Sequence, residues 1–437
     1  MKMTEFASSL IGEHYVKVEH PSGLRIYVYP KQMSGIYAMF SVQYGSVDNT
    51  LPKADGSGFE KVPDGIAHFL EHKLFDNPDG TDAFANFSAI GADANAYTAY
   101  HRTAYLFSCT ERFDEALTEL LSFVTKPHFT EASVKKERGI IAEEIKMYED
   151  SPWERVYQNL LAALYQKHPI RKNICGTVSS IRKITPELLY RCYETYYRLS
   201  NMALVVCGPV TPQQVADVAN RVLPQATADT AKIPRKTYRE PAAPAKTRVE
   251  AQMQVAKPIF CIGIKDTVLP VSPQERLKRE ISMMLLNEIL FSQSGEFYGE
   301  LLEENLINPS FSFGYSAEEG FAFNCITGES DRPDEILTRL QAYLERVERE
   351  GISDEAFERC RRALYADEIR AYDSTEEIAN RLLTFVFDGT EMYSAMELFA
   401  AVQKKELEEL LQSFYCKEQF ALSVISPLQS QSNSERK

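Results

Sequence analysis

The sequence predicts an α+β protein of two similar domains, each a mainly antiparallel sheet covered by helices, and three observations carry that expectation. Short β-branched and aromatic runs bounded by Gly and Pro are interleaved with long segments whose apolar residues recur every three or four positions. The runs are grouped, strands with strands and helices with helices, rather than alternating as in a doubly wound sheet. The same order then returns after a Pro-, Ala- and Lys-rich stretch near the middle of the chain, which points to a pseudo-duplication.

Taken in order, GLRIYVYP and GIYAMFSVQYGSV read as strands. Helical spacing follows in ERFDEALTELLSFVTKP, in the stretch from Glu131 to Asp150, in WERVYQNLLAALYQ and in ITPELLYRCYETYY. NMALVVCGP reads as a buried strand and TPQQVADVANRVL as a helix. Residues 1–228 are therefore assigned to a first domain, 229–250 to a linker without a sustained period, and 251–437 to a second domain. In the second domain KPIFCIGI predicts a strand and a helix runs from Pro273 toward Phe291. PSFSFGYS and GFAFNCIT predict a hairpin across a Glu-Glu-Gly turn, and QFALSVIS closes the domain as a strand.

At 437 residues, with 44% hydrophobic and 25% charged, the chain is expected to fold as a globular, soluble protein with at least one large core. A net charge of -14 disfavours a nucleic-acid partner, which needs clustered Lys and Arg. No run of about twenty apolar residues predicts a membrane span, and the first twenty residues contain no apolar segment of signal-peptide length. The eight cysteines are scattered without a C-x-x-C pair, which predicts free thiols in a reducing compartment, the cytoplasm. G-x-G-x-x-G, P-loop and G-x-S-x-G patterns are all missing, so nucleotide and serine-hydrolase readings have no anchor.

Seven histidines serve the whole chain, none of them in the second domain, yet GIAHFLEHKLF at residues 65–75 holds two within five positions. Asp64 is a candidate N-cap and Asn77-Pro78 a candidate stop, so residues 65–75 should be a short helix. On it His68, Glu71 and His72 share one face, while Ile66, Phe69 and Leu70 point elsewhere toward the core and Lys73 reads as an exposed helix residue. Two imidazoles one turn apart suit a zinc ion, and a carboxylate held beside them can take a proton from a metal-activated water and return it to a leaving amine. This is the H-x-x-E-H order. A catalytic zinc site needs a third protein ligand. In ERGIIAEEIKMYED, Glu137 and Glu144 lie two turns apart on the stripe of Val134, Ile141 and Tyr148, so both point inward. One could bind metal and the other brace a ligand, while Glu143 sits on another face with Ile140 and Met147.

The segment from Gly45 to Ser108, with GIAHFLEHKLF followed by GADANAYTAYHRTAYLFS, and the segment ERGIIAEEIKMYEDSP resemble the pitrilysin and insulinase family of zinc metallopeptidases, the inverzincins. The likeness is to its short two-domain bacterial type, related to the mitochondrial processing peptidase branch. It runs over most of the first half, and the two-domain plan spans the chain. The resemblance implies a zinc-dependent endopeptidase acting on unfolded peptides or small protein segments. It also implies one Zn2+ per chain on His68, His72 and Glu144, with Glu71 as general base and Glu137 bonded behind a ligand. The edge strand around Asn95, Ala96, Tyr97 and Thr98 would then receive an extended peptide by β-addition.

Members of that family often carry an Arg and a Tyr in the second half that hold the substrate backbone and polarise the scissile carbonyl. In SGEFYGELLEENLINPSFSFGY those positions fall on Leu302 and Asn308, with Tyr298 or Tyr315 as substitutes under a shifted register. The resemblance therefore implies a dimer in which a sister chain without the zinc motif supplies the missing Arg and Tyr. The alternative is a catalytically silent, peptide-binding accessory subunit of a two-chain assembly.

Overall fold

The structure, a computed structural model, describes residues 1–77, 80–225, 230–270 and 272–428. They gather into two compact units, and neither is a single stretch of chain. The first holds Met1–Ile145, Asn173–Thr237 and Tyr365–Glu397; the second holds Lys146–Lys172, Tyr238–Leu364 and the chain from Leu398 onward.

In the first unit the strands are β1 (Lys2–Ser8), β2 (Glu13–Glu19), β3 (Arg25–Pro30), β4 (Ile36–Val42), the small pair β5 (Thr50–Pro52) and β6 (Phe59–Lys61), β7 (Asp93–Thr98), β8 (Thr103–Cys109) and β9 (Met202–Gly208). Seven of them form one sheet in the order β1-β2-β3-β9-β4-β8-β7, with β3 and β9 parallel and every other neighbour antiparallel. The second unit contributes β10 (Arg248–Met253), β11 (Ile259–Lys265), β12 (Ser312–Glu318), β13 (Phe321–Glu329) and β14 (Phe420–Pro427). Its order is β10-β14-β11-β13-β12, again with one parallel pair, β10 and β14. Strand for strand this repeats β3-β9-β4-β8-β7, so the expected pseudo-duplication is present, with the β1–β2 hairpin as an extra on the first sheet. The β12–β13 hairpin turns at Glu319 and Gly320, and Gly320 takes the left-handed conformation such a tight turn requires.

Every residue of β4, β9 and β11 is buried, which needs cover on both sheet faces. On one side of the first sheet lie helices Phe113–Thr125 and Pro212–Val222; the second sheet has Pro273–Phe291 and Pro333–Glu350. The other side explains the discontinuous units. Helix Thr375–Asp388, from the second half of the sequence, covers β4 and β9, placing Ile378, Leu382 and Leu383 in one core with Tyr29, Met39 and Val205. Helix Pro152–Leu164, from the first half, covers β11 and β14. There a Cβ on Gly263 would come within 2.8 Å of the Leu160 and Leu164 methyls, so glycine lets the helix pack closely and a larger residue would make those methyls shift. Each half thus lends its counterpart helix to the other half's sheet.

The stretch read as a linker is not loose in its described part. Ile233 is buried and Arg235 pairs with both oxygens of Asp48 at 2.6 Å. Glu240 accepts the backbone N–H groups of Gln166, Lys167 and His168 and pairs with the buried Lys265 at 2.7 Å. Its last residues, from Arg248, already belong to β10, whose parallel pairing to β14 overrides a sequence without clear period. Among the described residues no helix is long and apolar enough to cross a membrane, and none of the eight cysteines is in a disulfide.

Candidate metal centre

The H-x-x-E-H segment forms a nine-residue helix, Ile66–Leu74, packed against β7. Asp64 does not cap it. Gly65 holds the cap position at φ 92°, and a Cβ there would sit 2.3 Å from the Cys175 carbonyl oxygen, so backbone crosses backbone at the point where the helix begins. The Asp64 carboxylate instead accepts from Asn49 at 3.1 Å, and its carbonyl accepts from the Ser180 hydroxyl at 2.7 Å. The helix stops at Leu74, before Asn77; Pro78 lies outside the described residues.

His68, His72 and Glu144 each offer a ligand atom within 4.8 Å of the others. His68 Nε2 is 3.4 Å from Glu144 Oε1, and His72 Nε2 is 3.5 Å from Glu144 Oε2. Two imidazoles and one carboxylate that converge in this way are a donor set that suits a zinc ion, and three protein ligands leave one tetrahedral position open. With Nε2 turned to that centre, His72 Nδ1 carries the proton and donates to Glu137 Oε1 at 3.0 Å, which fixes the tautomer. The two inward acids are thereby separated: Glu144 faces both imidazoles, and Glu137 stands behind His72. Glu143 is exposed, on the face of exposed Ile140 and Met147. Burial would weaken the acidity of Glu137, but the bond to His72, that ring's charge and Lys73 outweigh it and hold its pKa below the usual value; for His72 burial lowers the pKa, but the same bond together with the charges of Glu71, Glu137 and Glu144 outweighs it and raises the pKa.

Glu71 is only 7% exposed, and burial raises its pKa against the opposing pull of His68, the Thr98 hydrogen bond and His72. The Thr98 hydroxyl donates to Glu71 Oε2 at 2.5 Å. Thr98 closes β7, which pairs with β8 alone and so forms the sheet edge; Asn95 is exposed on it, and Ala96 and Tyr97 are half-buried. The segment expected to meet a peptide through its backbone therefore also touches the acid through a side chain, which sequence reasoning missed. Two further neighbours were missed. The Lys73 side chain, expected to be exposed, is 1% exposed; its signal was the stripe Ile66–Leu70–Lys73, which is the helix's apolar face. Cys175 Sγ lies 3.8 Å from His68 Nε2, and no local pattern links positions so far apart.

The second unit contains no counterpart of this cluster among its described residues. Leu302 is exposed on helix Glu296–Glu303, and the Asn308 amide donates to Glu329 at 2.7 Å. Of the two substitutes, Tyr298 packs buried against Phe311, and Tyr315 donates to Asp266 at 2.6 Å, where Arg279 also binds.

Residues 55–178 match the family described as Insulinase (Peptidase family M16), and residues 183–364 match the Peptidase M16 inactive domain. YmfH, an uncharacterized zinc protease of Bacillus subtilis strain 168, is 38% identical over 408 residues, covering 93% of this chain and 95% of that one. The chain belongs to peptidase family M16. The crystal structure of an M16-like peptidase from Alicyclobacillus acidocaldarius superposes on this M16 chain with a TM-score of 0.88 at 34% identity, covering 94% and 98% of the two chains. The probable mitochondrial-processing peptidase subunit beta of Arabidopsis thaliana is 24% identical over 400 residues, 86% of this chain and 73% of its own.

Proposed function

We propose that the chain is a zinc-dependent endopeptidase that hydrolyses peptide bonds of unfolded peptides or small protein segments, with one zinc ion on His68, His72 and Glu144. The observation that carries this reading is the buried Glu71 carboxylate placed beside a two-imidazole, one-carboxylate donor set. Zinc bound there supplies a Lewis acid for the scissile carbonyl and brings the pKa of a water to about 7. Glu71 takes the proton of the attacking water and passes it to the leaving amine. Thr98 orients the Glu71 carboxylate, and the β7 backbone from Asn95 to Thr98 pairs with the substrate as an added strand. Glu71→Gln should retain stoichiometric zinc and lose about 10²- to 10⁴-fold in cleavage. A fully active variant would end this mechanism.

We further propose a partner. Leu302 and Asn308 offer no clamp for the scissile carbonyl, and the missing oxyanion donor is worth about 3 kcal/mol or more. A relative named as a subunit supports an assembly of two chains, this one bringing the zinc site and a sister chain of similar length bringing the Arg and Tyr. Turnover by the purified chain alone at about 1 per second or faster would remove the need for that partner. The silent-accessory alternative predicts zinc binding without cleavage even in the complete assembly. Eight cysteines outside any disulfide support a reducing, cytoplasmic setting, which recovery of the protein outside the cytoplasmic fraction would overturn.

A further inference from the structure

We infer that Lys73 is a positioning residue for the metal, holding Glu137 so that Glu137 in turn fixes His72 as a zinc ligand. The inference rests on the zinc site proposed above.

A lysine is almost never fully buried without a partner, and here the side chain following His72 is 1% exposed. Its ammonium pairs with Asp76 and stands 3.8 Å from Glu137 Oε2. The other oxygen of Glu137, Oε1, is the one 3.0 Å from His72 Nδ1. The two oxygens of one carboxylate are thus divided between an imidazole N–H and a buried cation. Rotation of that carboxylate away from His72 would leave the ammonium with Asp76 alone, whose side chain is 43% exposed and well screened by water. The arrangement therefore restrains Glu137 from the side opposite the metal.

A lysine serving only to staple the helix to Asp76 would leave metal affinity unchanged.

The test is zinc affinity, read by competition with a chromophoric chelator, for wild type, Lys73→Met, Glu137→Gln and the double variant. Absorption spectra of the cobalt-substituted proteins report the ligand field beside it. Lys73→Met should weaken zinc binding at least about tenfold, within the range typical of residues that support a ligand, and change the cobalt spectrum. In the Glu137→Gln background the same substitution should have no further effect, because its route to the metal has been removed. Lys73→Arg, which keeps the charge, should stay within about threefold of wild type, and Lys73→Gln serves in place of Met if that variant fails to fold. Wild-type affinity and spectrum in Lys73→Met, or an equal loss in both backgrounds, would overturn the inference. A wild-type chain without zinc affinity would overturn the site reading itself, and this inference with it.

Discussion

The two units share a five-stranded core of sheet, strand for strand, yet they place different helices in the same slot. Between β4 and β7 the first unit carries the nine-residue helix with His68, Glu71 and His72; between β11 and β12 the second carries a 19-residue helix whose buried residues include Met283, Leu285, Leu286 and Leu290. The framework, including the single parallel pair and the borrowed helix on one face, is indifferent to that choice. Chemistry follows from which side chains the slot presents, not from the fold that provides it.

The comparison breaks most severely if the third ligand has been misplaced. Glu144→Ala should lower zinc affinity beyond the roughly 100-fold that loss of a supporting partner can cost, while Glu143→Ala, on the exposed face of the same helix, leaves zinc titrations unchanged. Equal effects would mean that the two acids are not distinguished as the geometry has them. A somewhat smaller effect is expected at the start of the zinc helix. Gly65→Ala combines a left-handed backbone with a contact at 2.3 Å to the Cys175 carbonyl, and should cost about 3 kcal/mol in denaturant unfolding and weaken zinc binding as well.

The second unit has its own signature, in stability rather than catalysis. His168 is buried and its pKa is pushed down to about 4 by burial, with Lys265 adding to the shift and Glu240 opposing it. The unfolded chain takes up this proton first as pH falls, so the stabilisation is intact above about 6.5 and is lost progressively toward pH 4, approaching 3 kcal/mol in total. Unfolding free energies of His168→Gln should lack that part of the slope; an unchanged slope would remove His168 from the account. The smallest effect belongs to Thr98. Removing its hydrogen bond to a carboxylate in Thr98→Val should cost about 1.5 kcal/mol, roughly tenfold in kcat/KM. Because that bond holds the Glu71 pKa down against burial, the acid limb of the pH profile should move to higher pH.

How much of this could be read from the sequence differs between the two levels of structure. Strand and helix periods, and their return after the midpoint, place the elements of both units, and H-x-x-E-H is legible because its geometry is local to one helix. Long-range choices are not local. Glu137 and Glu144 share a stripe, and only the packing of their helix against His72 tells them apart. Helices Pro152–Leu164 and Thr375–Asp388 have apolar faces that would suit either sheet, so their exchange, and with it the discontinuous units, leaves no periodic trace. Asp64 failed as a cap because tertiary crossing at Gly65 outweighed local capping chemistry. Lys73 was misplaced because its charge spoke for solvent while its register spoke for the core, and paired carboxylates let register win.

The most direct measurement is cleavage of a mixed library of unstructured peptides by the zinc-loaded chain, with zinc-loaded Glu71→Gln in parallel. The account predicts slow turnover by the wild-type chain alone, well below about 1 per second, and none above background for Glu71→Gln at equal zinc content. Equal cleavage by both proteins would contradict it, because the acid beside the donor set would then have no part in the reaction.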